Sequence, residues 1–198
     1  MSPRADPPAS VRTVALMTHT QPEQTRVAVA DAVQAARAAG CTLAAAAEEV
    51  AKHAEIADAL ARLEDLDGPP DVCLVLGGDG TILKALREYA GTGVPVFGIN
   101  YGTIGFLAAA DPDGLAEGLD RAFSGRFDVM SLPALRVGVG GEERIGLNDI
   151  SFHRRPHGRV AELAYSLSGQ EVGHVRCDGL VVATPAGSTG YNLANQGP

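Results

Sequence analysis

The chain is short of cysteine, of positive charge and of long apolar runs, and each shortage removes a class of function. Cys41, Cys73 and Cys177 are its three cysteines, spread widely over 198 residues, so neither a disulfide framework nor a CxxC metal site is available. They read as buried, reduced thiols of a cytosolic protein. Sixteen Lys and Arg face 24 Asp and Glu, a formal net charge of -8. A general nucleic-acid binder needs a basic footprint to displace counterions from phosphates, so that class is set aside. No run approaches the roughly 18 apolar residues of a membrane span, and the polar, Pro-rich opening MSPRADPPAS lacks the apolar core of a signal peptide. A soluble, cytoplasmic protein that binds neither nucleic acid nor membrane is expected.

Three familiar signatures are missing as well. There is no GxxxxGK[ST] run and no GxGxxG after a strand, which excludes a P-loop protein and an ordinary dinucleotide-binding dehydrogenase domain. The run AGSTG at 186–190 has Ala186 where a serine-hydrolase elbow needs its first glycine.

What remains is a globular composition, 45 % hydrophobic and 20 % charged, able to bury a core. At roughly 100–200 residues per domain the length allows one large domain or two small ones. Charge and pattern both shift near residue 126. Residues 1–126 carry 10 basic and 17 acidic side chains, and residues 127–198 carry 6 and 7. All six of the later cations are arginines, Arg136, Arg144, Arg154, Arg155, Arg159 and Arg176. A planar guanidinium suits bidentate contact with phosphate or carboxylate, and equally suits a solvated strand surface.

The first part, residues 11–126, alternates short apolar runs with helical patterns, as an open parallel α/β sheet requires. Val14 to Met17 reads as a buried strand, followed by an Ala-rich helix to about Ala39 that Gly40 stops. A second helical pattern covers about 48–63. Val72 to Leu76 is a continuous apolar run bounded by Pro70-Asp71 and Gly77-Gly78, and Val94 to Ile99 is another strand. Asp113 to Phe123 closes the unit as a helix. After Phe127 the pattern becomes short alternating strands, such as 135–139 and 163–167, with hairpin turns at Gly140-Gly141 and Ser168-Gly169. Residues 127–198 are therefore expected to be all-β.

Three stretches carry chemistry. The strand ending at Leu76 runs into Gly77-Gly78-Asp79-Gly80-Thr81, and 82–88 looks helical. In an open parallel sheet ligands bind beyond the carboxyl ends of the strands, where this loop lies. Its glycines let backbone N–H groups approach phosphate oxygens at a helix N-terminus. Asp79 is out of place in an anion-binding loop unless it holds a metal ion or takes a proton from an attacking hydroxyl; the plainer reading is a helix cap. A second glycine loop, GINYGTIGFL at 98–107, leaves the sheet at the same edge, so that Asn100 can face the crevice of Asp79. Phe106 and Leu107 read as core or pocket wall. The third stretch follows the strand Leu180 to Ala183. There Thr184-Pro185-Ala186-Gly187-Ser188-Thr189-Gly190-Tyr191-Asn192 offers backbone N–H groups and hydroxyls to phosphate, or a Ser/Thr turn that caps a short helix.

Taken together, GGDGT at 77–81, GIN-x-G-x-x-GFL at 98–107, LND at 147–149 and DGLVVATPAGSTGYN at 178–192 resemble the NAD kinase family in order and spacing, from about Val11 onward. Lipid kinases and phosphofructokinases resemble it at the GGDG loop alone; the last block is far more specific. The resemblance implies a Rossmann-like α/β domain followed by a β-sandwich, with the site between them. It implies transfer of the terminal phosphate of ATP, or of polyphosphate, to the 2′-hydroxyl of the adenosine ribose of NAD. It also implies a divalent ion, normally Mg²⁺, and a cytoplasmic homo-oligomer, a dimer or tetramer. Carried over by position, Asp79 is the catalytic carboxylate and Gly80 shares the dinucleotide contact, in a phosphate loop of Gly77, Gly78, Gly80 and Thr81. Asn148 and Asp149 match the pair that holds NAD, the amide suiting the adenine edge and the carboxylate the ribose hydroxyls. Arg159, Arg176 and Asp178 match nucleotide contacts. Thr189, Gly190, Tyr191, Asn192, Leu193 and Ala194 match the segment that closes over adenosine and phosphates. No residue is assigned as a metal ligand. Gly190, Asn192 and Asn195-Gln196 depart from the usual pattern, and Gly190 is expected to loosen its loop.

The β part resembles only the opening portion of the family's sandwich, so unpaired strand edges are expected there. Two alternatives to a working NAD kinase therefore stand: an inactive or partner-dependent nucleotide-binding fragment, and a lipid or small-molecule kinase that shares only the GGDG loop.

Overall fold

The computed structural model describes residues 4–103, 105–156 and 160–197. Its contacts divide into two compact units, Met1–Ser131 and Leu132–Pro198.

The first unit runs β1 (Arg4–Ala5), β2 (Thr13–Thr18), α1 (Arg26–Ala39), β3 (Thr42–Ala45), α2 (Ala47–Lys52), β4 (Ala61–Arg62), β5 (Val72–Gly77), α3 (Asp79–Glu88), β6 (Val96–Asn100), α4 (Leu115–Ser124) and β7 (Val129–Met130). Five strands form one sheet in the order β4-β3-β2-β5-β6, all parallel. The chain builds outward from β2 to β4, then returns to the other side of β2 with β5. The strand order thus reverses at the β2/β5 pair, and the carboxyl ends of those strands, Thr18 and Gly77, mark the crevice where open α/β sheets hold ligands. Short β1 pairs with β7 outside this sheet.

The core follows from the apolar runs. Val72, Cys73, Leu74, Val75 and Leu76 are fully buried, as a parallel strand covered on both faces must be. On one face Val29, Ala32 and Ala36 of α1 and Leu119, Ala122 and Phe123 of α4 pack on Val14, Leu16, Leu74 and Ile99. On the other, Ile82 and Ala85 of α3 cover Ala15, Met17, Cys73 and Val75. Helix α1 ends where expected, on Gly40 with φ +69°, a left-handed cap that glycine adopts without Cβ strain. Of the cysteines, Cys73 alone is fully buried and Cys41 and Cys177 are half-buried; no disulfide joins them.

The helix expected over 48–63 is corrected. Helix α2 stops at Lys52, and short 3-10 turns and β4 occupy 54–65. The cause is a buried polar knot at the end of the central strand. Thr18 donates both its backbone N–H (3.1 Å) and its hydroxyl (2.8 Å) to Glu49 Oε2. Lys52 Nζ donates to Glu49 Oε1 at 2.6 Å, and His53 Nε2 lies 3.0 Å from Thr18 Oγ1. Thr18 has one hydroxyl proton and gives it to Glu49, so His53 must be the donor to Thr18, with its proton on Nε2. Its Nδ1 is then a bare acceptor, buried without a partner among the described residues. Turning Glu49 and His53 inward against Thr18 breaks the helical path at His53, whose φ and ψ are -124° and 51°.

The second unit holds β8 (Leu135–Val139), β9 (Glu142–Gly146), β10 (Asp149–His153), β11 (Ala161–Leu167), β12 (Gln170–Cys177) and β13 (Gly179–Ala183). Its described residues form strands and loops apart from a short helical turn beginning with Ser188–Asn192. Both expected hairpin turns form, with positive φ at Gly140, Gly141, Ser168 and Gly169, the signature of type I′ connections. The described strands pair only in twos, β8-β9, β10-β13 and β11-β12, leaving the unpaired edges that were expected. Among the described residues no helix is long and apolar enough to cross a membrane.

His53 generates a pH prediction. Its side chain is 1 % exposed, and burial holds its pKa below the ordinary 6.5 against the upward pull of Glu55 and Glu49, with Lys52 and Arg26 adding to the depression. The folded protein therefore keeps His53 neutral while the unfolded chain takes a proton, so its contribution is complete above pH 6.5 and is lost as pH falls toward the depressed folded value. Thermal unfolding between pH 8 and pH 5 should show the midpoint falling below about pH 6.5. His53→Gln should flatten that fall; an unchanged slope would exclude His53 as its source.

Candidate functional site

In the first unit the site is built from two loops at neighbouring strand ends. Strand β5 ends at Gly77, Gly78 is the residue before helix α3, and Asp79 opens that helix. Two of the glycines are explained by crowding. A Cβ on Gly77 would stand 2.7 Å from Thr81 Oγ1, and one on Gly78 would stand 3.1 Å from the Cα of Gly102. Gly80 differs, because a side chain there would meet no atom within 4 Å.

Asp79 does not cap α3, whose cap position is Gly78 with no side-chain bond. Its carboxylate reaches instead to the second loop: Oδ2 accepts the N–H of Phe106 at 3.3 Å and Oδ1 that of Leu107 at 3.2 Å. That loop starts beside the first, with Asn100 in register with Gly77 and the N–H of Tyr101 donating to Gly77 O at 3.2 Å. Asn100 Oδ1 accepts the N–H of Gly102 at 2.9 Å. Burial, reinforced by Asp31, pushes the Tyr101 hydroxyl above its ordinary pKa, so it remains a donor. Leu107 packs against the core as expected. Phe106 does not, and the expectation is corrected: it is 87 % exposed because its backbone, held by Asp79, turns the ring outward.

In the second unit two of the sequence motifs meet through backbone. Antiparallel pairing of β10 with β13 sets Asp149 opposite Ala183, so Asn148 lies beside the turn that follows β13. Thr184, buried, donates its hydroxyl to Leu147 O at 2.6 Å and its N–H to Asn148 O at 2.8 Å. The same hydroxyl oxygen accepts the N–H of Gly187 at 3.1 Å. A Cβ on Gly187 would stand 1.8 Å from Asn148 O, so only glycine fits there. Thr184 and Gly187 thus clip the Asn148-Asp149 pair to the segment 188–194. Both lie in the stretch read from the sequence as a phosphate-binding nest or a capping turn; the backbone clip they form was not read there, and its signal was a threonine directly after a strand and a glycine three residues on.

Of the other candidates, the segment 189–194 follows this clip directly, and Arg176 and Asp178 lie away from it. Asp178 Oδ1 accepts Arg154 Nε at 2.6 Å at the far end of the same strand pair. Arg176 lies on the β11-β12 hairpin, exposed and paired across it with Glu162 at 3.2 Å. Thr189, Gly190, Tyr191, Leu193 and Ala194 are exposed, and Asn192 is half-buried with Nδ2 donating to Ser188 O at 3.5 Å. The helical turn breaks at Gly190, with φ -93° and ψ -126°. The Tyr191 ring lies 6.3 Å from that of His153. Arg159 lies outside the described residues.

Comparison with known proteins agrees with both halves. Residues 11–127 match the model of the ATP-NAD kinase N-terminal domain and residues 147–198 that of the ATP-NAD kinase C-terminal domain. An NAD kinase of Magnetococcus marinus is 41 % identical over 158 residues, covering 76 % of this chain and 52 % of that protein. One of Thiobacillus denitrificans is 38 % identical over 156 residues, covering 76 % and 54 %. The chain spans about half the length of these curated relatives. Among solved structures, an NAD kinase from Archaeoglobus fulgidus in complex with ATP matches with TM-score 0.63 and 26 % identity, over 94 % of this chain and 66 % of that one. A yeast NADH kinase complexed with NADH shares the fold, with TM-score 0.72 at 22 % identity over 100 % and 67 %.

The Thr184 clip can be tested directly. Thr184→Val keeps the shape but strands Leu147 O without its hydroxyl donor, at a cost of about 1–3 kcal/mol. Urea unfolding followed by far-UV circular dichroism should show the loss, and amide exchange at Gly187 should accelerate. Wild-type protection at Gly187 would contradict the clip.

Proposed function

The chain belongs to the ATP-NAD kinase family, and from that premise we propose that it moves the terminal phosphate of ATP onto the 2′-hydroxyl of the adenosine ribose of NAD, giving NADP. The observation that carries the proposal is the carboxylate of Asp79. It sits in the first turn of α3 directly after two glycines, does no capping, and has both oxygens aligned by backbone N–H groups.

Phosphoryl transfer asks a protein for positioning, charge neutralisation and one group to receive the hydroxyl proton. Thr81 and Ile82 already give their N–H groups to Gly78 O, at 2.9 and 3.1 Å, so the first-turn N–H groups that suit phosphate are those of Asp79 and Gly80. Asp79 is the proton acceptor for the 2′-hydroxyl. Gly80 supports a ligand at this turn: glycine costs about 1 kcal/mol in a helix relative to alanine, and no neighbouring atom requires it. In the second unit the Asn148 amide serves the adenine edge and Asp149 the ribose hydroxyls, with Arg159, Arg176, Asp178 and the segment from Thr189 to Ala194 holding the nucleotide.

A divalent ion, Mg²⁺ by preference, fits this donor set if it arrives on the phosphates of ATP, because such ions need only one or two protein carboxylates. Among the described residues no three His, Cys, Asp or Glu side chains cluster as a metal cage. When bound, the ion neutralises charge on the transferred phosphate. The donor choice between ATP and polyphosphate, a cytoplasmic location and homo-oligomeric assembly are parts of the same proposal. The Asn148-Asp149 clip sets the chain apart from kinases that share only the GGDG loop.

A second reading, nucleotide binding without turnover, is favoured by one observation. Among the described residues the strands of the second unit pair only in twos and leave Leu167 and Val172 exposed. Incubation with ATP, Mg²⁺ and NAD separates the two readings: NADP should accumulate with the wild type. Asp79→Asn should lose turnover by about 10²-fold or more while NAD still binds. Binding without NADP would favour the second reading, and near-normal turnover of Asp79→Asn would reduce Asp79 to a structural role.

A further inference from the structure

A carboxylate in the first turn of a helix is free to rotate unless something fixes its plane, and a general base works only within hydrogen-bond reach of its proton, roughly 2.6–3.2 Å. The two donors that fix Asp79, the N–H groups of Phe106 and Leu107, belong to a loop that touches the core at its returning end, through Leu107 and Ala108, and leaves its tip uncovered. Phe106 is the most exposed large apolar side chain in the molecule's described part. What then holds those amides in place?

The loop is tied at its root by backbone bonds. The N–H of Ala109 donates to Gly98 O at 2.8 Å and that of Asn100 to Ala110 O at 2.9 Å. Between root and tip the Asn100 side chain is the filler. Its Oδ1 takes the N–H of Gly102 on the outgoing limb at 2.9 Å. On the returning limb Gly105 packs so closely that a Cβ there would stand 2.7 Å from Asn100 Nδ2 and 2.9 Å from its Cγ. The next two residues after Gly105 are the donors to Asp79. The outgoing limb is pressed on the phosphate loop, since a Cβ on Gly102 would stand 2.8 Å from the Cα of Gly78. One side chain therefore spaces the two limbs, one against Gly78 and the other against Asp79.

We propose that Asn100 is a positioning residue for Asp79, acting through the backbone amides of Phe106 and Leu107. The role rests on the reading of Asp79 as proton acceptor for its kinetic consequence, but not for its structural one. Removing the side chain leaves Gly102 without its acceptor and opens the space that Gly105 packs against, so the amides drift and the carboxylate loses its alignment. Displacement by about 1 Å at a reacting centre costs up to about 10²-fold in rate, while binding contacts elsewhere are untouched.

The test uses the full 198-residue chain and begins with the amide proton resonances of Phe106 and Leu107. Asp79→Asn, which weakens their acceptor, should shift both. Asn100→Ala should shift both in the same direction, and Asn100→Ser should stay close to wild type, because a serine hydroxyl can accept the N–H two residues on. In the kinase assay Asn100→Ala should lower kcat about tenfold or more with KM for NAD within about threefold. Asn100→Ser should recover most of the loss, and adding Asn100→Ala to Asp79→Asn should cost little further, as expected for residues acting as one unit. Unmoved Phe106 and Leu107 resonances in Asn100→Ala, or an undiminished loss in the Asp79→Asn background, would overturn the role. Absence of turnover in the wild type would overturn the kinase reading alone, since the resonances decide the part of Asn100 without it.

Discussion

Gly78 and Gly102 touch backbone to backbone, and the arrangement of the first unit's site depends on that contact. A methyl group on either would force the two backbones apart, with only 3.1 Å or 2.8 Å available to the opposing Cα. Because they meet, the amides of Phe106 and Leu107 come within reach of Asp79. The contact is itself set by the sheet, since β5 and β6 run in register with Gly77 beside Asn100. Helix α3 is seated by another close approach, Ile82 over Gly98, where a Cβ would stand 2.6 Å from Ile82 Cδ1. In the two loops Gly77, Gly78, Gly98, Gly102 and Gly105 are thus explained by crowding, and Gly80 is the exception, where a side chain would meet open space.

The polar knot at Thr18 works on the same crevice from its other wall. Thr18 is in register with Leu76, and the N–H of His19 donates to Leu76 O at 2.9 Å, one residue before Gly77. Burying Glu49 and His53, with Lys52 half-buried beside them, costs desolvation that apolar residues would avoid, but it pins both backbone groups of the last residue of the central strand. The strand ends at the point of reversal are therefore fixed by named bonds on both sides.

Much of this was legible in the sequence where local chemistry and burial agree. Val72 to Leu76 could only be a buried strand, Gly40 a helix stop, and Gly140-Gly141 and Ser168-Gly169 hairpin turns. The helix over 48–63 was misread because its pattern is helical locally, and a long-range bond from His53 to Thr18 breaks it. Phe106 was misread because apolar character suggests burial, whereas its exposure follows from a backbone bond to a residue 27 positions away. Asp79 stood out as a carboxylate in an anion loop, yet its partners could not be read from spacing. Thr184 and Gly187 were read only as part of a phosphate-binding or capping stretch, because their task, clipping backbone to backbone, leaves no side-chain signature beyond a small residue. The site motifs were legible as motifs, and the bonds that join them were not.

The central claim is that Asp79, aligned by the second glycine loop, receives the proton of the ribose 2′-hydroxyl. A crystal structure of the chain with NAD bound measures it most directly, through the distance from the Asp79 carboxylate to the 2′-oxygen. The account predicts roughly 2.6–3.2 Å, with Phe106 and Leu107 still donating to the carboxylate. A 2′-oxygen beyond hydrogen-bond reach, in a complex where the adenosine ribose is ordered, would contradict it.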